Sequence, residues 1–333
     1  MNIEVFKHMY FRLPILIRLF LTIVLIILFF GTVIHVIEPQ EFPTIFDGIW
    51  WAVVTGATVG YGDYVPLTPL GRILGIILIF TGGGLLTFYI TQIAASTVQH
   101  ENDLSRGKVA YRGNGHIIIV GWNERSRILM NRILNHNPKA EIVLMDQTVS
   151  QMSYREFPVH FIQGDPTDDY FLQKSNIEQA ERVVITADGH KSEKQADIQS
   201  ILTVVAVRGN HSTIPIIVEI MTVNQIDNAK RAGANTILRP NDFMSMLLFQ
   251  EVFRGKSKPF ETVIHLLNKQ QFHHVLIPEE LVDTSYLEAL KKLKSNDQLL
   301  LGIKRDGEWM FNPSNEFLLK ENDILITSST WVL

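Results

Sequence analysis

Two stretches without a formal charge constrain this chain before anything else does. Leu19–Ile37 runs for nineteen uncharged residues and Ile73–Val98 for twenty-six. A helix rises about 1.5 Å per residue, so each stretch is long enough to cross about 30 Å of hydrocarbon. Lys7, Arg12 and Arg18 precede the first run, as they would in a secretory leader. Its apolar core is too long for a leader, however, and no small-x-small cleavage pattern follows, so a retained membrane helix is expected. Residues 1–100 hold four Lys/Arg and five Asp/Glu, and residues 101–333 hold 26 and 29. The chain thus reads as a membrane portion followed by an ordinary, faintly acidic soluble portion. No basic block points to nucleic acid. The absence of cysteine excludes disulfides, thiolate chemistry and Cys-ligated metals. Arg106, Lys108 and Arg112 follow the second run, while the loop between the runs is acidic apart from Arg72. The positive-inside rule then predicts a multi-pass protein of the cell membrane, in contact with lipid, with both termini cytoplasmic.

Between the runs, Pro43–Thr55 repeats apolar residues at helical spacing (Ile45, Phe46, Ile49, Trp50, Val53) but is too short to span. The sequence Ala57-Thr58-Val59-Gly60-Tyr61-Gly62-Asp63-Tyr64 comes directly after it. Glycines at alternate positions admit backbone conformations closed to other residues, so successive carbonyls can point one way. Non-helical backbone at membrane depth is tolerated only inside protein or beside water, which describes a re-entrant loop. Two spanning helices around such a loop make a quarter of a pore, hence a homotetramer.

Thr58 to Gly62 resemble the potassium-channel signature at all five positions. The resemblance implies K⁺ sites formed by the carbonyls of Thr58, Val59, Gly60 and Tyr61 with the Thr58 hydroxyl, in the manner by which carbonyl rings replace an ion's hydration shell. It also implies that Trp50 and Trp51 pack round Tyr61 and, with Asp63, support the filter; the alternative for the tryptophans is a place at the lipid interface. Val54 stands where some relatives carry a Glu that pairs with the Asp equivalent to Asp63, leaving Asp63 without that partner. Gly82, in Gly82-Gly83-Gly84, stands at the family's gating hinge, and close helix packing is the other use for such small residues. No Arg-rich helix of the voltage-sensing kind is present.

Gln99–Asn114 is polar, carries Gly107, Gly113 and Asn114, and reads as a connector whose tension belongs to the gating mechanism. From His116 the pattern alternates. Strands are expected at 116–120, 141–145, 159–162, 182–186, 215–219 and 235–238, with helices near 124–136, 148–156, 167–174, 191–208 and 223–232. Near-continuous apolar strands separated by amphipathic helices argue for a parallel, Rossmann-type sheet. Its first turn, Gly121-Trp122-Asn123-Glu124-Arg125-Ser126, keeps only the first glycine of the dinucleotide fingerprint, with Asn123 and Ser126 in the other places. Asp146 lies about where a ribose-binding acid is expected, or is a solvated loop residue. Asp165 caps the next helix or lines the cleft, and Asp188 ends the fourth strand at the same crevice. His190 and His211 have no recognisable acid partner, and no catalytic arrangement accompanies the cleft.

Residues 115–333 resemble the cytosolic RCK domains that regulate potassium conductance, through Gly121, Asp146, Gly164-Asp165-Pro166-Thr167 and Ala187-Asp188. The resemblance makes 242–254 a bridging helix that pairs subunits, although its apolar residues would also suit a core, and 258–333 a small C-terminal lobe of short strands and turns. It implies RCK–RCK dimers in a cytosolic gating ring. Asp188 and Glu219 lie near the family's calcium ligands, but Met221 replaces another carboxylate, and a thioether suits a hard cation poorly. Any Ca²⁺ site there is weak; a nucleotide or dinucleotide of the NAD, ADP or ATP class in the Rossmann cleft is the preferred regulatory ligand, with an unrelated ligand in the C-terminal lobe as the alternative.

The expected fold is therefore a tetrameric membrane α-helical pore of two transmembrane helices and a re-entrant pore loop, fused to a cytosolic α/β Rossmann-like RCK domain with a small α+β C-terminal lobe. Its segments are 1–98 for the pore, 99–114 for the connector, 115–241 for the Rossmann-like part, 242–257 for the bridging helix and 258–333 for the lobe. The expected function is a ligand-gated potassium channel rather than an enzyme. Two alternatives stand beside it. One is a membrane-anchored NAD-dependent oxidoreductase, which leaves the filter unexplained. The other is a regulatory subunit of a separate potassium transporter, which has no need of a pore loop.

Overall fold

The computed structural model describes residues 13–153, 157–253 and 259–331. They fall into two compact units, one of residues 13–110 with 149–163 and one of 111–148 with 164–331. Lys7 and Arg12, which bear on the orientation of the first helix, lie outside the described residues.

The first unit is built on helices. Helix α1 (Ile15–Ile37) contains the first uncharged run. The short helix α2 (Ile45–Gly56) starts where Thr44 and Asp47 form a reciprocal capping box. Helix α3 (Pro69–Leu78) passes through a π-helical turn, Ile79–Gly83, into α4 (Gly84–Ser105). Together these form a continuous apolar helix of 37 residues. Helices α1 and α2 cross at Gly31 and Gly48, where a methyl on Gly48 would overlap the Gly31 carbonyl. Small residues at a crossing let two backbones approach closely. Phe30, Ile34, Phe42, Trp51, Ala52 and Leu78 fill the centre of the unit, while Leu25, Phe29 and Phe80 are exposed.

Glu38, 4 % exposed, joins the end of α1 to the start of α3. Its carboxylate accepts hydrogen bonds from the Leu67 N–H (2.8 Å), the Thr68 N–H (3.0 Å) and the Thr68 hydroxyl (2.5 Å). A buried carboxylate persists because these donors replace water, and an anion beside a helix N-terminus is favoured by the helix dipole.

Helix α4 continues to Ser105, so the first seven residues of the connector 99–114 are helical. The backbone beyond that helix is pinned. Met152 N–H donates to the Ser105 carbonyl (2.7 Å) and Gln163 N–H to that of Gly107 (3.2 Å). The His160 Nε2 atom is 2.9 Å from the Val109 carbonyl. Gly107 has φ +64°, and a side chain there would strike the backbone at Ile162–Gln163, within strand β3 (His160–Gln163).

In the second unit, strands β1 (Ile117–Val120), β2 (Ile142–Asp146), β4 (Arg182–Ile185), β5 (Ile216–Glu219) and β6 (Thr236–Leu238) are parallel, in the order β2-β1-β4-β5-β6. Register pairs Ile117 with both Ile142 and Arg182. The strands are apolar on both faces, as helices on both sides require. The helices are α5 (Glu124–His136), α6 (Asp169–Lys174), α7 (Glu193–Asn210) and α8 (Ile226–Ala232). No helix forms over 148–153 of the expected 148–156 segment, and 154–156 lie outside the described residues. The strand order reverses between β1 and β4, which places a crevice at the carboxyl ends of those strands.

Helix α9 (Pro240–Val252) covers most of the expected bridging segment and starts on a proline at its first position. The C-terminal lobe is α+β, as expected, and its two helices, whose positions the sequence pattern did not give, are α10 (Pro259–Lys269) and α11 (Tyr286–Lys294). Its strands β7 (Gln270–Leu276), β8 (Gln298–Arg305), β9 (Glu308–Phe311) and β10 (Ile324–Thr330) form an antiparallel sheet in the order β7-β10-β8-β9. Its core holds Tyr286, Leu300, Ile303 and Leu325. Arg305 binds the buried Asp323 through Nε and Nη2, both at 2.7 Å.

Candidate functional site

Each unit presents one candidate site. In the first, the last turn of α2 shapes the segment immediately after it. Thr58 N–H donates to the Thr55 carbonyl (3.0 Å), while Val59 N–H (3.0 Å) and Gly60 N–H (3.3 Å) both donate to the Val54 carbonyl. In a trans peptide the carbonyl points opposite to the N–H, so with these amides turned toward α2 the Thr58 and Val59 oxygens point away from it. Thr58, Gly60 and Gly62 have φ of +60°, +64° and +76°, whereas Val59 and Tyr61 do not have positive φ. That alternation keeps successive carbonyls on one side. Glycine meets the requirement freely at 60 and 62, and Thr58 meets it as an outlier for a β-branched residue.

The supporting residues divide. The Trp50 ring stacks on Tyr61 (centroids 6.1 Å apart, 10° between planes). Its Nε1–H donates to Asp63 Oδ2 at 2.7 Å. Trp51 is 4 % exposed and turns the other way, edge-on to Phe42 at 5.5 Å and against Gly75. The expectation that both tryptophans surround Tyr61 therefore does not hold within the protomer: neighbours on a helix project about 100° apart. Asp63, without a carboxyl partner, is held by the Trp50 indole, and Val54 contributes its carbonyl rather than its side chain. The N–H of a tryptophan thirteen residues upstream was the available sequence signal for that bond.

Gly82 lies in the π-helical turn. A methyl placed on it would sit 3.2 Å from Gly56 Cα and 3.3 Å from Leu78 Cδ1. Close packing against the end of α2 is thus one of its uses. The turn itself is a departure from regular helix of the kind at which helices bend.

In the second unit, a cleft lies at the β1–β4 crevice, lined by Gly121, Asn123, Asp146, Thr148, Asp188 and Lys191 among others. Four of the sequence-predicted residues therefore converge. Gly121 has φ +94° and lies against Thr186, whose Oγ1 would be 2.7 Å from a methyl there. Asp146 is 7 % exposed; its Oδ2 accepts from Trp122 N–H (2.7 Å) and its Oδ1 from Thr148 N–H (2.6 Å) and the Thr148 hydroxyl (2.7 Å). It is thus neither a solvated loop residue nor a free acceptor, but a clasp between the turns after β1 and β2. Asn123 and Ser126 form a capping box, and Asn123 Nδ2 donates to Thr186 Oγ1 (3.0 Å). The two residues that replace glycines in the fingerprint cap α5 instead.

Asp165 does neither of the things expected of it. Its Oδ1 accepts from Thr167 N–H (2.9 Å) and the Thr167 hydroxyl (2.7 Å), closing a turn, and Asp168 caps α6. Pro166 reaches the cleft and Asp165 does not. Asp188 accepts from His190 N–H (2.9 Å) and pairs with Lys191 at 3.4 Å. Glu219 lies outside the cleft lining and is bound by Arg125. Among the described residues, no group of three or more His, Cys, Asp or Glu is arranged to hold a metal. Sequence reasoning missed Thr148, Lys191 and Asp197. The last is fully buried in α7 and receives Met221 N–H (2.7 Å), Thr222 N–H (3.0 Å) and the Thr222 hydroxyl (2.6 Å).

Comparison with known proteins bears on both sites. A family model described as an ion channel matches residues 22–99, and one described as the TrkA-N domain matches residues 117–240. The Bacillus subtilis protein YugO, named as a potassium channel, is 38 % identical over 314 residues, or 94 % of this chain and 95 % of its own. The chain belongs to the potassium channels. The calcium-gated potassium channel TvoK of Thermoplasma volcanium is 30 % identical over 65 % of this chain and 62 % of its own. Among solved structures, the GsuK channel superposes with a TM-score of 0.55 at 16 % identity, over 95 % of this chain and 57 % of the GsuK chain. GsuK bound to NAD gives 0.51 at 15 %, over 94 % and 56 %. At such identities the likeness concerns the fold alone, and this chain spans a little over half the length of GsuK. The channel thus joins a helical ion-channel region to a parallel-sheet TrkA-N (RCK) domain.

Proposed function

We propose that four copies of this potassium channel surround one pore in the cell membrane, with lipid around α1 and both termini cytoplasmic. K⁺ passes along the carbonyls of Thr58, Val59, Gly60 and Tyr61. The observation that carries this is the pair of filter amides held by the Val54 carbonyl, which leaves the partner carbonyls free to face an axis. Oxygens fixed in this way can replace the waters that K⁺ leaves behind. Trp50 and Asp63 hold the segment at its outer end.

The cytosolic domains pair through α9, which exposes Phe243, Met246, Leu248 and Phe249, and assemble into a ring. A nucleotide or dinucleotide binds in the cleft beside Gly121 and Thr148, with the cationic Lys191 near its phosphates. GsuK, of the same fold, has been captured with NAD and with ADP. Ligand binding gates the channel because the ligand prefers one form of the ring; a ligand with equal affinity for both would shift nothing. The π-helical turn at Ile79–Gly83, with Gly82 inside it, is where the inner helix bends.

Purified protein in liposomes tests this reading. K⁺ flux should exceed Na⁺ flux, respond to one of NAD, ADP or ATP, and vanish in Gly60→Ala. No K⁺-selective flux with any of them, accompanied by substrate-dependent NADH turnover, would instead mark a membrane-anchored oxidoreductase.

A further inference from the structure

At the carboxyl ends of β4 and β5, a carboxylate and a backbone carbonyl meet a cation that the chain itself supplies. Glu219 is 8 % exposed. Arg125 Nε–H lies 3.0 and 3.1 Å from its two oxygens, and Arg125 Nη2–H donates to the Ala187 carbonyl at 2.9 Å. Ala187 N–H donates to Glu219 Oε2 at 2.8 Å. Every oxygen in this cluster is therefore satisfied by the guanidinium or by backbone. Asp188, the next residue, is neutralised separately by Lys191.

A carboxylate this deeply buried needs donors or a positive partner in place of water, because removing an unpaired charge from water costs several kcal/mol, and a single backbone N–H, that of Ala187, reaches Glu219 besides Arg125. Two kinds of partner suit the site. A divalent cation would take the Glu219 and Ala187 oxygens together with waters. A guanidinium takes the same oxygens through directed donors and does not dissociate from the chain. Arg125 also stands in the first turn of α5, two residues after Asn123, which lines the cleft. The guanidinium thereby fastens the cleft's helix across β4 to β5.

We infer that Arg125 is a built-in replacement for a divalent cation, so that gating of this channel requires no Ca²⁺ or Mg²⁺ at the β4–β5 strand ends. Arg125 is a positioning residue: it acts on the cleft through α5 and Glu219. The inference rests on the cytosolic domain being the sensor, as in the proposed function, but the pair can be read without any flux measurement.

The experiment compares thermal unfolding of the purified full-length channel in EDTA and in millimolar Ca²⁺, together with liposome flux. The wild type should melt at the same temperature in both, with unchanged flux. Arg125→Ser should melt roughly 5 °C lower in EDTA, as expected for a half-exposed partner of a buried carboxylate. It should recover in Ca²⁺, and the double variant Arg125→Ser/Glu219→Gln should lose that recovery. Arg125→Lys, which retains a charge, should remain insensitive to Ca²⁺. A role confined to packing would lower the melting temperature without creating a dependence on Ca²⁺, and that result would overturn the inference. So would a Ca²⁺ shift in the wild type that Glu219→Gln abolishes. Should Arg125→Ser fail to fold in EDTA, its rescue by Ca²⁺ during purification supports the inference, and failure in both media overturns it. Absence of K⁺ flux in all variants alongside the expected melting pattern would count against the channel reading alone.

Discussion

Replacing Gly121 with alanine tests whether the turn after β1 is specified by the hydroxyl beside it. The structure imposes two costs. At φ +94° an alanine is in left-handed backbone, which carries a penalty of about 1–2 kcal/mol. Its methyl would also stand 2.7 Å from Thr186 Oγ1, so the hydroxyl must move. That hydroxyl donates to the Val120 carbonyl (2.9 Å) and accepts from Asn123 Nδ2 (3.0 Å), and each bond is worth about 1 kcal/mol. The sum is about 3–4 kcal/mol, or a fall of roughly 10 °C in melting temperature for a domain of this size. Thr186→Ala alone removes the same two bonds and should cost about 2 kcal/mol. In the double variant those bonds can be lost only once, so adding Thr186→Ala to Gly121→Ala should lower stability no further. Denaturant or thermal unfolding of all four proteins measures the coupling directly. If the two single effects simply add, the hydroxyl does not set the turn and the argument fails.

Other perturbations give sharper contrasts. Gly60→Ala places a side chain at φ +64°; it should abolish K⁺ flux in liposomes while leaving the melting of the TrkA-N domain unchanged. Trp50→Phe retains the ring stacked on Tyr61 but removes the donor to Asp63; it should shorten the conducting bursts in single-channel records severalfold, and unchanged bursts would remove Asp63's tether from the account. Burial opposes ionisation of Asp323, but hydrogen bonds from Arg305 and the Lys320 N–H, with the Arg305 charge, hold its carboxyl below the usual carboxylate range. Its contribution is therefore complete above about pH 4 and is lost as pH falls through the lowered folded value. Circular dichroism at falling pH should show acid destabilisation that Asp323→Asn flattens.

Much of the architecture was legible because it is written locally. Ile117–Val120 and Ile142–Met145 are short, apolar without interruption and rich in β-branched residues, which favours a strand covered on both sides. Helix α5 starts at the expected residue 124, although Asn123 was read as a replaced glycine and not as its cap, and the boundaries of β4 and β5 fell within a residue of those expected. Helix α6 began two residues late because Asp165 uses its carboxylate on Thr167 and leaves the capping to Asp168. The helices α10 and α11 were expected of an α+β lobe but not located in it, although Leu287, Leu290 and Leu293 are spaced as a helix requires. The site was less legible than the fold. Gly121, Asn123, Asp146 and Asp188 do share a cleft, but what each carboxylate does there depends on partners brought in from elsewhere. Arg125 and Glu219 are 94 positions apart, and no local pattern announces that they meet. For the tryptophans, the helical repeat alone was enough to show that Trp50 and Trp51 face different ways.

The pinned connector bears on how the proposed sensor would act on the proposed gate. A slack chain between two moving bodies behaves as an entropic spring: its ends wander by about 5–6 Å times the square root of its length, so small displacements are lost in its own fluctuations. Here the backbone from Ser105 onward is held by Met152, Gln163 and His160, at Ser105, Gly107 and Val109 respectively. The inner helix and β3 are consequently linked as a crank is keyed to its shaft. A shift of ångströms in that strand reaches the helix as a shift of ångströms, and the missing side chain at Gly107 is the slot that lets the key enter.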